Sequence, residues 1–227
     1  MGRNADGPFD LVIFDLDGVL VDSELISSRV TAAALSEAGI EISAADLCDR
    51  FLGVSTAEML QGIEAAHGCR LPHSFREKLR ERVLKAFEHE LEAIAGVPAL
   101  LDALAVDRCV ASSSHPDRIR CSLEITGLLD RLAPHLFSAT MVDHGKPAPD
   151  LFLLAAARMA AAPKRCLVVE DSEVGIRAAK AAGMKVFGFT GASHARAEAY
   201  APRLQAAGAD AVVTEMAALA GLIAAAE

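Results

Sequence analysis

Behind a short polar leader the chain opens with an uninterrupted apolar run, Leu11-Val12-Ile13-Phe14, that stops abruptly on an acid. A run this short, bounded by polar residues, predicts a fully buried strand over Phe9 to Phe14. From Asp22 to about Glu90 the pattern changes to helical spacing with no convincing strand. Asp22 or Ser23 is placed to cap a helix ending at Gly39, Ser43 a second helix, and Ser55 a third reaching His67 and Gly68. Pro72 precedes a fourth, charge-rich helix from His73 to Leu91. Residues 22–91 therefore read as an all-helical insertion, and residues 1–21 and 92–227 as the domain that holds it.

Past Gly96-Val97-Pro98 short apolar runs alternate with helical segments. Strands are predicted at Arg108–Ala111, Phe137–Thr140, Cys166–Val169, Lys185–Thr190 and Ala211–Val213. Helices are predicted at Pro116–Thr126, Pro149–Ala161, Ser172–Ala182, Ala195–Ala207 and Glu215–Ala226. Strands alternating with helices imply a doubly wound parallel α/β sheet covered on both faces. In such sheets the ligand site lies beyond the carboxyl ends of the strands.

Polar groups fall at those ends. The first strand ends in Asp15 and Asp17, the second in Ser112-Ser113-Ser114, and the strand through Val169 in Glu170-Asp171. Lys146 sits in a proline-framed loop, Gly145-Lys146-Pro147-Ala148-Pro149-Asp150. A strand that only had to turn would need Gly18 but not two acids before it. Like charges this close cost a few kcal/mol, on the order of the surface Coulomb energy, unless a cation or proton intervenes. Clustered hard oxygen ligands suit Mg²⁺, and Mg²⁺ with Lys146 and Ser112 could hold a phosphoryl group. One aspartate could then attack phosphorus while the other moves the proton.

Composition narrows the partners. A formal net charge of −9 with no basic run argues against nucleic acid or an anionic membrane surface. No stretch approaches membrane-spanning length, and Met1 to Pro8 has no apolar signal region. Cys48, Cys69, Cys109, Cys121 and Cys166 are scattered and never spaced as CxxC, which fits reduced thiols in a cytoplasmic protein. Oligomeric state stays open; a monomer is compatible with everything in the sequence.

Four stretches then carry a resemblance: Asp15-x-Asp17-Gly18-Val19-Leu20-Val21-Asp22-Ser23-Glu24, Ser112, Lys146-Pro147-x-Pro149-Asp150 and Val169-Glu170-Asp171-Ser172. In order and spacing they resemble the motifs of the haloacid dehalogenase superfamily of phosphohydrolases, and the helical insertion resembles that family's cap. The resemblance implies Asp15 as nucleophile and Asp17 as general acid/base. It implies Mg²⁺ held by Asp15, the main-chain carbonyl of Asp17 and Asp171, with Glu170 supporting the metal shell. Ser112 and Lys146 would hold phosphate, with Ser113 beside them. Gly53, Ser55 and Thr56 would face the leaving group. The acid at position 17 favours phosphate esters over halides or phosphonates. The cap from Arg50 to Leu60 resembles bacterial sugar phosphate and phosphogluconate phosphatases, so a small phosphorylated metabolite is the expected substrate. The alternative, a sugar phosphomutase, is weakened because Ser27 and Thr56 stand where mutases carry a histidine and an arginine.

Blander readings compete at several positions. A calcium loop fails because the chain turns apolar at Val19-Leu20. A serine hydrolase built from the serine run, His115 and Asp117 fails because no nucleophile elbow is present. His67, His73, His89, His135 and His144 show no metal spacing. His194 follows a strand and could reach the rim, whereas Glu24 and Arg50 read as structural pairing residues.

Overall fold

The computed structural model describes residues 8–196 and 198–225. Among them six strands form one parallel sheet in the order β3-β2-β1-β4-β5-β6: β1 Leu11–Phe14, β2 Asp107–Ser112, β3 Leu136–Ser138, β4 Cys166–Glu170, β5 Lys185–Phe189 and β6 Ala211–Val213. β1 lies between β2 and β4, with Ile13 opposite both Cys109 and Val168. Its side chains alternate, and both faces are buried. Val12 and Phe14 pack on one side with Val110, Leu167, Val169 and Phe187, whereas Leu11 and Ile13 pack on the other with Cys109, Ala111 and Val168. That is why the strand reads as a continuous apolar run rather than an alternating one.

The first face is covered by α5 (Val97–Ala103), α6 (Pro116–Ile125), α7 (Leu129–Leu132) and α11 (Met216–Ala225); the second by α8 (Asp150–Arg158), α9 (Glu173–Ala181) and α10 (Tyr200–Ala207). Between β1 and α5 run α1 (Glu24–Glu37), α2 (Ala44–Phe51), α3 (Thr56–His67) and α4 (Phe75–Glu90). The chain enters and leaves this insertion through two adjacent antiparallel segments. The Asp22 N–H donates to the Glu92 carbonyl (3.0 Å), and the Ile94 N–H to the Leu20 carbonyl (2.9 Å).

Several expectations need correction. The first strand begins at Leu11, not Phe9, and the strand expected to reach Thr140 stops at Ser138 and tightens into a 3₁₀ turn, Ala139–Met141. Neither α5 nor α7 was expected. The helix expected from Ala195 begins at Tyr200, after a 3₁₀ turn at Ser193–Ala195; Ala197 within that stretch, like Ala226 at the end of the last helix and residues 1–7 of the leader, lies outside the described residues. Ser43 and Ser55 do cap α2 and α3 through their hydroxyls, Ser55 in a reciprocal pair with Glu58. Ser23 precedes α1 but does not cap it. Its hydroxyl is committed elsewhere.

Candidate active site

The carboxyl ends of β1, β2 and β4 meet on one rim, and Lys146 joins them from the loop between β3 and α8. Asp15, Asp17, Ser112, Lys146, Glu170 and Asp171 are each at most 8% exposed. Lys146 Nζ lies 2.8 Å from Asp15 Oδ1 and 2.5 Å from Glu170 Oε1, with the Phe152 ring beneath it at 5.0 Å. Burial alone would push this ammonium toward deprotonation. The two carboxylates outweigh that and raise its pKa.

One lysine does not balance the acids around it. Asp15, Glu170 and Asp171 each offer an oxygen, all within 4.8 Å of one another. Burial raises the carboxyls of Asp15 and Asp171 well above the usual carboxylate range; Glu170 repels both, and Lys146 only partly offsets this. Asp171 Oδ2 is buried without a hydrogen bond among the described residues. A buried cluster of hard oxygen donors, one of its oxygens without a hydrogen bond among the described residues, fits a small divalent cation.

Asp17 sits in the opposite environment. Its Oδ1 accepts from Ser23 Oγ (2.5 Å) and Arg118 Nη2 (2.6 Å), and its Oδ2 from Ser114 Oγ (2.7 Å). Burial raises its pKa, but Arg118 and the hydroxyls prevail and hold it below the usual carboxylate range. Two acids separated by one residue thus have pKa values driven apart, the pattern expected of groups with different tasks. The turn between Asp15 and the insertion depends on Gly18, at φ +75°. A Cβ there would stand 1.9 Å from Asp171 Oδ2.

The serines divide. Ser112 Oγ accepts from the Ser114 N–H (3.0 Å) at the rim, Ser114 reaches Asp17, and Ser113 donates to the Gly53 carbonyl (2.8 Å) in the insertion. Gly53 has φ +79°, and a Cβ on it would meet Ser172 Oγ at 2.3 Å and Val174 Cγ2 at 2.6 Å. The loop before α3 therefore lies directly on the start of α9.

One cavity adjoins the acids, and a second borders Ser113, Ser114 and Arg118 beside them. The first, of about 70 Å³, is bounded by Asp15, Asp17, Asp171 and Ser112 below and by Glu24, Gly53 and Thr56 above. The second, of about 860 Å³, runs between α3, α4 and the start of α6, with Ser55 on its wall. Thr31, Thr56, Ser113, Ser114 and Arg118 border both.

Every rim residue expected from the sequence comes together here. Ser114 and Arg118 were not anticipated. Ser114 lay inside a serine run, where nothing distinguishes one hydroxyl from the next. Arg118 sits on a helix and gives no one-dimensional signal; folded, its guanidinium also donates to Ser27 Oγ (3.1 Å) and covers the Phe87 ring. Glu24, read as structural, faces the small cavity, and burial with repulsion from Asp17 raises its carboxyl to about 7 despite Arg118. Arg50 stacks on Phe51 and borders neither cavity. His194 does reach the rim, with Nε2 3.0 Å from Asp171 Oδ2.

A doubly wound parallel sheet with acids, a serine and a buried lysine on its carboxyl rim, and a helical insertion over them, defines a class of α/β hydrolases. Residues 9–183 match the haloacid dehalogenase-like hydrolase family, and the chain belongs to it. It is 35% identical to the 6-phosphogluconate phosphatase of Escherichia coli over 186 residues, 82% of this chain and 84% of that protein. Among solved structures, a haloacid dehalogenase-like protein of unknown function from Agrobacterium tumefaciens superposes with a TM-score of 0.81 at 42% identity, over 96% of this chain and 98% of that one. A family hydrolase from Deinococcus radiodurans, solved with bound phosphate and sodium, gives 0.75 at 34% identity over 97% of each chain. No helix among the described residues is long and apolar enough to cross a membrane.

Proposed function

We propose that the protein is a Mg²⁺-dependent phosphatase that hydrolyses a small phosphorylated metabolite, a sugar phosphate, through an aspartyl-phosphate. The observation that carries this reading is the convergence of buried Asp15, Lys146, Glu170 and Asp171 on one point, with Asp17 beside them on donors of its own. The metal would be held by Asp15, the main-chain carbonyl of Asp17 and Asp171, with Glu170 in support; bound there, it supplies charge neutralisation for the phosphoryl oxygens. Lys146 and Ser112 hold the phosphoryl group, with Ser113 at its insertion side. The Asp15 carboxylate attacks phosphorus as the bond to the leaving oxygen breaks, and Asp17, which must enter this step protonated, delivers its proton to that oxygen and is left as the anion. Asp17 then accepts a proton from the water that cleaves the aspartyl-phosphate. Its hydrogen bonds from Ser23, Ser114 and Arg118 favour the anion, the form needed for that second step.

Residues 22–91 act in this proposal as a cap on the core formed by 1–21 and 92–227, excluding water when Gly53 docks on α9. The named phosphatase relative supports a sugar-derived substrate. The chain has Ser27 and Thr56 at the two positions where the resemblance places a mutase's histidine and arginine, which weakens the mutase reading. The free cysteines support a reducing, cytoplasmic setting, and a monomer suffices because one chain supplies every site residue.

The test is phosphate release from a panel of sugar phosphates, 6-phosphogluconate and nucleotides, with Mg²⁺ and with a chelator. Mg²⁺-dependent release is expected for sugar phosphates, and Asp15→Asn should lower kcat by about 10³-fold or more with the circular dichroism unchanged. Substantial turnover by Asp15→Asn would remove the nucleophile assignment. Conversion of a hexose 1-phosphate to its 6-isomer without stoichiometric phosphate would favour the mutase.

A further inference from the structure

His194 takes no part in the steps above. Yet its side chain is 1% exposed, and neither ring nitrogen has a hydrogen bond among the described residues. Nε2 stands 3.0 Å from Asp171 Oδ2, the oxygen that is itself unsatisfied. Two buried polar groups in contact and both unsatisfied form a costly arrangement, and each such group calls for an explanation.

The surroundings hold both groups where they are. Tyr200 meets the imidazole edge-on, with ring centroids 5.5 Å apart, and its hydroxyl donates to the Asp171 carbonyl at 2.8 Å. The Gly18 turn closes the other side; a Cβ there would lie 2.7 Å from His194 Cε1. The 3₁₀ turn that carries His194 is tied to Asp22, whose carboxylate accepts from the Ser193 N–H (3.2 Å) and from the Ser193 hydroxyl. Asp22 is part of the link into the helical insertion, bonded to the Glu92 carbonyl.

We propose that His194 is a positioning residue for the metal: its imidazole buttresses Asp171 in the orientation that presents the carboxylate to the cation, and Ser193–Asp22 keeps it there. The inference rests on the Mg²⁺ reading above. Partners behind a metal ligand typically change metal affinity by about 10–100-fold when removed.

The test is calorimetric titration of the full chain with Mg²⁺ in phosphate-free buffer. His194→Met keeps the bulk but not the polar edge and should weaken Mg²⁺ binding about 10–100-fold. His194→Gln restores a donor at the same reach and should stay within about threefold of the wild type. Asp22→Ala should weaken binding in the wild-type background and add little to His194→Met, because both act through one contact. Equal Mg²⁺ affinity in His194→Met and the wild type would overturn the role of His194 while leaving the metal assignment standing. Absence of Mg²⁺ binding by the wild type would overturn the assignment itself. Additive losses in the double variant would overturn the tie through Asp22.

Discussion

At the residue scale, Asp15 and Asp17 are chemically identical and electrostatically opposite. Asp15 shares Lys146 with Glu170 and is crowded by Asp171, whereas Asp17 accepts from Arg118 and two hydroxyls. The sequence made the acids visible because two carboxylates at a strand end have no structural excuse. It could not reveal two of the partners of Asp17, since Ser114 and Arg118 are 97 and 101 residues away from it. Glu24 is the acid whose setting can be tested by pH alone. Its folded pKa of about 7 lies above its ordinary 4.5, so the folded state binds the proton more tightly than the unfolded chain. The resulting stabilisation is complete below about pH 4.5 and is lost as pH rises through 7. Glu24→Gln, which cannot ionise, should therefore gain on the wild type between pH 5 and pH 8, by about 1–3 kcal/mol. Urea midpoints of both proteins in chelator at the two pH values measure this; a gap that stays constant would mean that Glu24 ionises freely.

At the element scale, what was legible follows from how local each signal is. Buried strands announced themselves as apolar runs, and Ser43 and Ser55 as caps, because both signals lie within a few residues. α5 was hidden by its own start. Gly96 at φ +85° and Pro98 in the first turn read as a loop when they launch a helix. α7, of four residues, is too short to show a period, and β3, of three, was expected but with bounds shifted toward Thr140. Ser23, read with Asp22 as a cap, instead donates to Asp17, six residues earlier across the Gly18 turn. The loop of residues 52–55 shows the same division: Ser55 turns inward to cap α3, and Gly53 is needed for a contact no local pattern reveals. Gly53→Val would put a β-branched residue at positive φ and force its Cβ into Ser172 and Val174. The insertion should then stand off α9, with kcat/KM for sugar phosphates lowered by about 10–100-fold while Mg²⁺ affinity of the core is kept. Steady-state kinetics beside calorimetry separate the two; parallel loss of both would mean that Gly53 supports the core rather than closure.

At the scale of the whole molecule, the proposed reaction would draw its reactive groups from the sheet rim and its space from the insertion. The cavity at the acids, about 70 Å³, has room for little more than the phosphoryl group. The neighbouring cavity, about 860 Å³, is large enough for a leaving group of several carbons. Thr31, Thr56, Ser113, Ser114 and Arg118 line both, so a neck joining the two would be framed by these five residues. Selection among phosphate esters should therefore be made at this neck and not at the acids. Thr56 is the residue to enlarge, because it sits in the first turn of α3 with its cap held by Ser55 and Glu58, so its backbone does not depend on its own side chain. Thr56→Trp should narrow the neck and lower kcat/KM for six-carbon sugar phosphates by about 10-fold or more. Acetyl phosphate, whose leaving group is two carbons, needs only the small cavity and should be hydrolysed within about threefold of the wild-type rate. Equal losses on both substrates would put the obstruction at the acids themselves. Equal retention of both would mean that the leaving group departs by another route, leaving the larger cavity outside the reaction.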